Sequence, residues 1–271
     1  MTHSEFDYVV VGGGSAGCCV AGRLSEDHHT SVCLLEAGGP DNSVFVRAPL
    51  GFAATASLNL NSWGYNTVPQ AGFKGRKGFQ PRGKVMGGSS SINAMVYTRG
   101  NARDYDSWAA LGNPGWSFQD VLPYFKKSEN NECFGATDYR GVGGPLNVSF
   151  LRSPSPLNQL FMKACNEQGI PSNPDYNGGE QEGTFHYQAT QKNGERCSAA
   201  KGYLTPNLGR PNLKVSSTHT PHTPAHTHPR SRAHMPTLHT DIDCRGHSQQ
   251  SPHTPHRRPG CPTNSVPAGT H

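Results

Sequence analysis

The sequence lacks the features typical of membrane, secreted and nucleic-acid-binding proteins. No apolar run approaches the ~18 residues that a membrane-spanning helix needs. The first residues, 1–7, show neither a cationic nor an apolar leader region, so we expect a cytoplasmic protein. The formal net charge is only +5, and more than half of it falls within residues 216–271. Charge therefore gives no reason to expect a nucleic-acid partner.

Disulfide and metal-binding patterns are also missing. The chain has eight cysteines, none of them in a C-x-x-C arrangement. We therefore expect reduced thiols that serve as small apolar side chains, and no metal site. The eight are Cys18, Cys19, Cys33, Cys133, Cys165, Cys197, Cys244 and Cys261.

Aromatic residues are absent after Tyr203, and the composition changes at about Val215. Residues 216–271 contain ten of the fourteen histidines and nine of the prolines, without helical or strand periodicity. Such a segment cannot bury enough apolar surface to fold, so the sequence predicts a disordered tail over 216–271 after a folded part over 1–215. The abrupt change suggests a frameshift near codon 215. Loose transition-metal binding by His226, His228 and their neighbours is the alternative.

The start of the chain has the pattern of a β-α-β unit. Asp7–Val11 is a short β-branched run that predicts a fully buried strand. Ser15–Leu24 predicts a helix with Val20, Ala21 and Leu24 toward the core, and Ser31–Leu35 predicts a second buried strand. The crossover between the two strands is expected to be right-handed.

A glycine fingerprint joins the first strand to this helix. Gly12 permits the tight turn, Gly14 lets the backbone approach a pyrophosphate, and Gly17 lets helix and sheet pack closely. The free N–H groups of Ser15 and Ala16 at the helix start favour anionic phosphates. Glu36, followed by Ala37, ends the second strand ~20 residues later, where an acid binds a ribose diol. A glycine-rich turn without a ligand is the alternative, and FAD and NAD are not yet separated.

The remainder of the first 215 residues is rich in loops, with three more helices. We expect loops over 40–81 and a helix capped by Ser117 and Asp120. Another helix starts at Ser155–Pro156, and a short one covers 198–204. Leu157, Leu160, Phe161 and Ala164 lie on one face of the helix after Ser155, with Gly169 beyond its end. Turns in the loop region are expected at Gly51, Gly64, Gly72, Gly75 and Gly78.

A second glycine loop, residues 82–93, separates the two cofactors. Its small residues would let the backbone lie against a flat ring system, with residues 93–96 continuing beneath that ring. Taken alone, this run is equally consistent with a flexible loop. The positions concerned are Val85, Gly87, Gly88, Ser89, Asn93, Ala94, Met95 and Val96.

These segments resemble the N-terminal part of the glucose-methanol-choline (GMC) family of FAD-dependent oxidoreductases, and within it the choline dehydrogenase-like enzymes. The matching stretches are 7–39, Trp63–Gln70 and 83–106, with lesser matches at 108–125 and 195–206. The resemblance implies an α/β fold: an incomplete Rossmann-like FAD-binding β-α-β domain with loop-rich insertions. It also implies FAD contacts at both glycine loops, at Glu36 and at Trp63, and oxidation of a small alcohol by hydride transfer to the flavin.

Three departures qualify that resemblance. Ile92 stands where some members tether the flavin through histidine, so non-covalent FAD is expected. The family's second signature and the region with its catalytic histidine have no counterpart, and His3, His28, His29 and His186 do not match that role. We therefore expect an incomplete catalytic site, with the first two strands exposing edges and apolar faces.

Other interpretations stay open at this point. A non-catalytic FAD-binding fragment is one, and a nicotinamide-dependent enzyme, disfavoured by the second loop, is another. The alcohol, the electron acceptor, the oligomeric state and membrane association of a full-length form stay undetermined.

Overall fold

The computed structural model describes residues 5–217. Its first sheet has three parallel strands: β1 (Tyr8–Val11), β2 (Val32–Glu36) and β11 (Leu213–Ser217). The strand order is β1-β2-β11, with both Tyr8 and Leu213 in register with Val32. Helix α1 (Ser15–Leu24) connects β1 to β2, which confirms the predicted β-α-β unit.

The two predicted strands differ in burial. β2 lies between two neighbours, and Val32 and Leu34 are inaccessible to solvent. β1 is an edge strand whose Val9 and Val11 are 51% and 72% exposed, so the prediction of a buried strand is wrong there. The prediction of an exposed edge holds for β1 but is wrong for β2, because β11 occupies the other side of β2.

A single apolar cluster lies behind this sheet. Within α1, Ala21 is buried and Leu24 packs against the cluster, as expected, whereas the predicted core residue Val20 faces solvent and Cys18 is buried instead. The cluster combines side chains from α1, β2, the second glycine loop, a helical segment near residue 200, and β11. Its members are Cys18, Ala21, Val32, Leu34, Met86, Ala199, Ala200, Leu204 and Leu213.

The segment predicted as loops contains short regular elements. Helices α2 (Val44–Arg47) and α3 (Gly51–Ser57) are followed by a hairpin of β3 (Tyr65–Asn66) and β4 (Phe79–Gln80). Gly51 begins α3 and does not form the expected turn. A Cβ at Gly51 would lie 2.1 Å from the Phe45 carbonyl oxygen, so glycine is needed where α2 and α3 meet.

Two capped helices follow. Helix α5 (Phe118–Ser128) has the predicted capping box between Ser117 and Asp120. Helix α4 (Ala102–Ala110) was not predicted, although Asn101 and Asp104 form the same kind of capping box.

The second sheet has the order β5-β8-β7-β6 and encloses charged side chains. Its strands are β5 (Val96–Tyr97), β6 (Glu129–Asn131), β7 (Leu146–Phe150) and β8 (Gln188–Ala189). Glu129, fully buried, accepts hydrogen bonds from Arg99 (2.8 Å) and Arg140 (3.1 Å). Arg140 also pairs with the half-buried Asp175, which completes an ionic network of two buried arginines and two acids.

A hairpin of β9 (Gln191–Lys192) and β10 (Glu195–Arg196) leads back toward the first sheet. The short helix predicted over 198–204 is present as a π-helical turn, Ala200–Leu204. The boundary predicted after Val215 falls inside β11, which ends at Ser217. The rest of the predicted disordered tail, including its histidines, lies outside the described residues.

Helix α6 (Pro156–Glu167) begins as predicted, with Ser155 as its N-cap and Pro156 in the first turn, and Gly169 follows it at a positive φ of 85°. Its apolar face is exposed, since Leu157, Leu160 and Phe161 are all accessible to solvent. Within residues 5–217, no helix is long and apolar enough to cross a bilayer. The six cysteines in this range are free thiols, as expected.

Candidate nucleotide-binding site

The first glycine loop makes the turn that the fingerprint predicts. Gly12 has a φ of 97°, a conformation that side chains disfavour, and its N–H donates to the Leu35 carbonyl oxygen at 2.7 Å. A Cβ at Gly17 would lie 1.8 Å from the Gly12 carbonyl oxygen. Glycine at position 17 is therefore required for α1 to pack against the end of β1.

The N-terminus of α1 is open to solvent. Gly14 is its N-cap residue, no side chain caps the helix, and no acidic residue occupies the first turn. Ser15 and Ala16 are exposed, and a Cβ added at Gly14 would meet nothing within 4 Å. The unsatisfied N–H groups and the helix dipole therefore face an accessible surface that suits an anion.

Glu36 lies at the carboxyl end of β2 and is buried. Its Oε2 accepts from the Gly13 N–H at 2.6 Å, and its Oε1 accepts from the Gly38 N–H at 2.8 Å. A carboxylate has about four acceptor positions, so both oxygens retain capacity for ribose hydroxyls. Ala37 follows and is half-buried.

The second glycine loop lies directly against the first. The Gly87 N–H donates to the Gly13 carbonyl oxygen at 2.6 Å, and a Cβ at Gly88 would lie 2.7 Å from the Gly14 Cα. Gly87 and Gly88 both have positive φ, 88° and 55°. Val85, fully buried, bridges to Gly39 beside Glu36. The two loops thus form one continuous surface.

The chain after this loop continues the same surface. The Asn93 N–H donates to the Ser89 carbonyl oxygen at 2.9 Å, which links the two predicted segments. Ser89, Asn93, Ala94 and Val96 are exposed. Met95 differs, because its side chain is buried and its φ is 63°.

Trp63 lies at the approach to the second loop. Its N–H donates to the Arg82 carbonyl oxygen at 2.8 Å, and its ring stacks on Tyr65 with the ring centroids 6.1 Å apart. The Lys84 ammonium sits 4.6 Å from the Trp63 ring centroid. The structure therefore connects Trp63 to the residues that enter the second loop.

A family profile for GMC oxidoreductases matches residues 6–222. The chain belongs to the GMC oxidoreductase family. An alcohol dehydrogenase [acceptor] from Pseudomonas putida is 45% identical over 210 residues. An oxygen-dependent choline dehydrogenase from Brucella anthropi is 46% identical over 211 residues. Each alignment covers 78% of this chain but only 38% of the relative, so the chain spans well under half of these GMC relatives.

Solved structures give the same result for the fold. Pyridoxine 4-oxidase from Mesorbium loti superimposes with a TM-score of 0.73 at 35% identity, covering 79% of this chain and 42% of that one. An FAD-dependent oxidoreductase from Chaetomium thermophilum gives 0.72 at 34% identity, covering 78% and 38%. The α/β GMC fold, with its flavoprotein architecture, is thus confirmed, and FAD binding is implied by the family.

The described residues fit an extended dinucleotide. A Cβ at Gly14 would meet nothing within 4 Å, Glu36 retains acceptor capacity, and the second loop has only small side chains from Gly87 to Ser91, of which Ser89 is exposed. Sequence reasoning omitted Gly13 and Met86, although Gly13 contacts both Glu36 and the second loop. A Cβ at Gly13 would lie 2.7 Å from the Met86 sulfur, so glycine is needed at this position. In the sequence, only the run of three glycines at 12–14 indicates that need.

The described histidines belong to other segments than the joined loops. His28 and His29 occupy the turn that leads into the amino end of β2, whereas the glycine loops lie at the carboxyl ends of the parallel strands. His186 lines an apolar groove of about 460 Å³ beside α6. Within residues 5–217, no group of three histidine, cysteine or acidic side chains is arranged to hold a metal ion.

Proposed function

We propose that this chain binds FAD non-covalently on the joined glycine loops, as the FAD-binding part of an oxidoreductase that acts on the CH–OH group of a small alcohol. The observation that supports this most is the contact between the two loops, because it places a phosphate-binding helix N-terminus next to a side-chain-poor backbone surface. The names of the relatives, choline dehydrogenase and alcohol dehydrogenase, support the substrate class.

Each part of the surface has a role in this proposal. The N–H groups of Ser15 and Ala16 donate to the pyrophosphate, and the Glu36 carboxylate accepts from the ribose hydroxyls. The backbone of Gly87–Ser89 and of Asn93–Val96 would border the flavin ring of FAD. Trp63, at the entrance to the second loop, would contact an adjoining part of the cofactor. Bound FAD supplies a hydride acceptor for the alcohol carbon.

Non-covalent attachment is proposed from Ile92. Its side chain is buried and purely aliphatic, so it has no atom that can bond to the flavin. Denaturing the loaded protein should therefore release all of its flavin into the supernatant. Flavin that stays with the precipitated chain would contradict this part of the proposal.

The decisive experiment measures FAD affinity of the full chain by flavin fluorescence. A Gly14→Val substitution places a branched side chain in the space above the helix start, and we expect affinity to fall by at least about tenfold. Gly72→Val is the matched control, because Gly72 is exposed in the 3-10 turn Ala71–Phe73 between β3 and β4, and a Cβ there also meets nothing within 4 Å. Equal affinity in the two variants, or no affinity in the parent, would overturn the proposal.

A second candidate is an FAD-binding chain without turnover of its own. The positions of His28, His29 and His186 favour it, because a hydroxyl proton needs an acceptor within hydrogen-bond reach. His28 and His29 lie before the amino end of β2, and His186 lines a groove that includes no residue of the joined loops. Choline is the first alcohol to test, with an artificial electron acceptor. Turnover by FAD-loaded chain would exclude this candidate, whereas FAD binding without turnover would support it.

A further inference from the structure

Arg196 is a buried cation in an unusual environment. It lies on β10, is 1% exposed, and has no carboxylate within ion-pair distance among residues 5–217. In the same part of the chain its Nη2 has no hydrogen-bond partner. Burying an unpaired charge is costly, so the contacts that Arg196 does make must offset a considerable penalty.

Those contacts converge on the second glycine loop. The Nη1 of Arg196 donates to the Ser90 carbonyl oxygen at 3.1 Å and to the Asn93 Oδ1 at 2.8 Å. Its Nε donates to the Val46 carbonyl oxygen of α2 at 2.9 Å. A neighbouring bond strengthens the attachment, because the Ala199 N–H donates to the Ser90 hydroxyl at 2.9 Å.

Asn93 links Arg196 by hydrogen bonds to the residues that follow Asn93 in the chain. The Asn93 Oδ1 also accepts from the Met95 N–H at 3.0 Å. Met95 has a φ of 63°, a strained conformation for a non-glycine residue, which requires support from its surroundings. One oxygen atom therefore connects the guanidinium to the strained turn that precedes Val96.

We propose that Arg196 is a positioning residue that holds the second glycine loop and the exposed backbone of Asn93–Val96 in one shape. Its guanidinium acts through Ser90 and Asn93 on a surface that it does not itself form. The consequence for FAD affinity rests on the proposed function, whereas the consequence for loop order does not. Although burial lowers the pKa of Arg196 to about 10, the group stays charged near neutral pH.

Arg140 provides the matched comparison. It is equally buried, but it pairs with Glu129 and Asp175 and lies in the loop between β6 and β7. Arg196→Lys and Arg140→Lys each keep the positive charge but remove the planar guanidinium, whose N–H donors have fixed directions. Asn93→Ala breaks the same connection at an exposed residue and leaves the other two contacts of Arg196, with Ser90 and Val46, in place.

The experiment is hydrogen exchange of the full chain without FAD, followed by FAD titration of the same variants. We expect exchange over residues 87–97 to accelerate by about tenfold in Arg196→Lys and in Asn93→Ala, the effect of losing one or two buried hydrogen bonds. Arg140→Lys should leave residues 87–95 of that segment unchanged and accelerate exchange in the second sheet, around β6 and β7 and at the β5–β8 pair next to Gln188. FAD affinity should fall in the first two variants more than in the third.

The outcomes separate the two proposals. Unchanged exchange over 87–97 in both Arg196→Lys and Asn93→Ala overturns the positioning role, whatever the FAD result. If Arg196→Lys accelerates exchange equally over all described segments, the positioning role is also overturned, because that pattern shows a general loss of stability. If the parent chain binds no FAD but the loop responds as expected, the proposed function fails and the positioning role stands.

Discussion

The parallel sheet and the four-stranded sheet bury their interiors by different means. Behind the parallel sheet, β2 packs on an apolar cluster in which small side chains and glycines let backbones approach closely. The four-stranded sheet instead encloses Arg99, Glu129, Arg140 and Asp175 in mutual ion pairs. At the parallel sheet, the close approach of backbones leaves a surface without bulky side chains that a ligand can contact. At the four-stranded sheet, the ion pairs fix the relative positions of separate strands and loops.

The two buried arginines show the same difference at the level of one residue. Arg140 has two carboxylate partners, and its hydrogen bond and charge interactions with Asp175 raise its pKa despite the opposing effect of burial. Arg196 has only neutral acceptors among the described residues, and burial lowers its pKa. Arg140 therefore belongs to an ionic network whose members pair with one another, whereas Arg196 is proposed to hold the second glycine loop.

The largest effect should come from breaking the ionic network. Arg140→Met leaves Glu129 buried with one of its two cations missing and Asp175 without its partner, so we expect a loss of about 3–5 kcal/mol of unfolding free energy. Urea denaturation of the full chain measures this. A loss below that of an ordinary surface substitution would show that the network does not stabilise the second sheet.

A pH effect should distinguish the parallel sheet. Burial raises the pKa of the Cys18 thiol from 9.0 to about 12, so the folded chain keeps its proton where the unfolded chain loses it. The resulting stability is complete below pH 9 and declines as pH rises toward 12, by about 1.4 kcal/mol between pH 8 and pH 10. Urea unfolding at both pH values should show this decline in the parent and a smaller one in Cys18→Ala. Equal declines in both proteins would contradict it.

The smallest effect should come from the apolar face of α6. Leu160 is exposed, so Leu160→Ala should change the unfolding free energy by less than about 0.5 kcal/mol. Leu204→Ala is the control at a buried position of the apolar cluster, with an expected loss of about 2–5 kcal/mol. A comparable loss in both variants would mean that α6 packs against a partner in solution.

Local signals predicted local structure well. The strand-glycine-helix pattern gave α1 with its observed bounds, and the capping residues Ser117 and Ser155 located α5 and α6. Burial was predicted less well, because it depends on which element covers which face. The run before Gly12 reads as a buried strand, yet β1 has no neighbour on its outer edge among the described residues.

The candidate site divides in the same way. The glycines and Glu36 follow from spacing, because each answers a steric or hydrogen-bonding need that recurs wherever a strand turns into a phosphate-binding helix. The contact between Gly14 and Gly88, and the role proposed for Arg196, depend on tertiary approach between segments far apart in sequence. No periodicity or local motif carries that information.

The pairing of β2 with both β1 and β11 also bears on biosynthesis. A ribosome releases β1, α1 and β2 early, but the strand that covers the second edge of β2 emerges only after nearly all the other described residues. Until then the nascent chain presents an apolar parallel pair with two open edges, a substrate for chaperones or for aggregation. Because parallel pairing across such a sequence separation is slow, the rate of translation through residues 200–217 should influence how much of the chain reaches its native state.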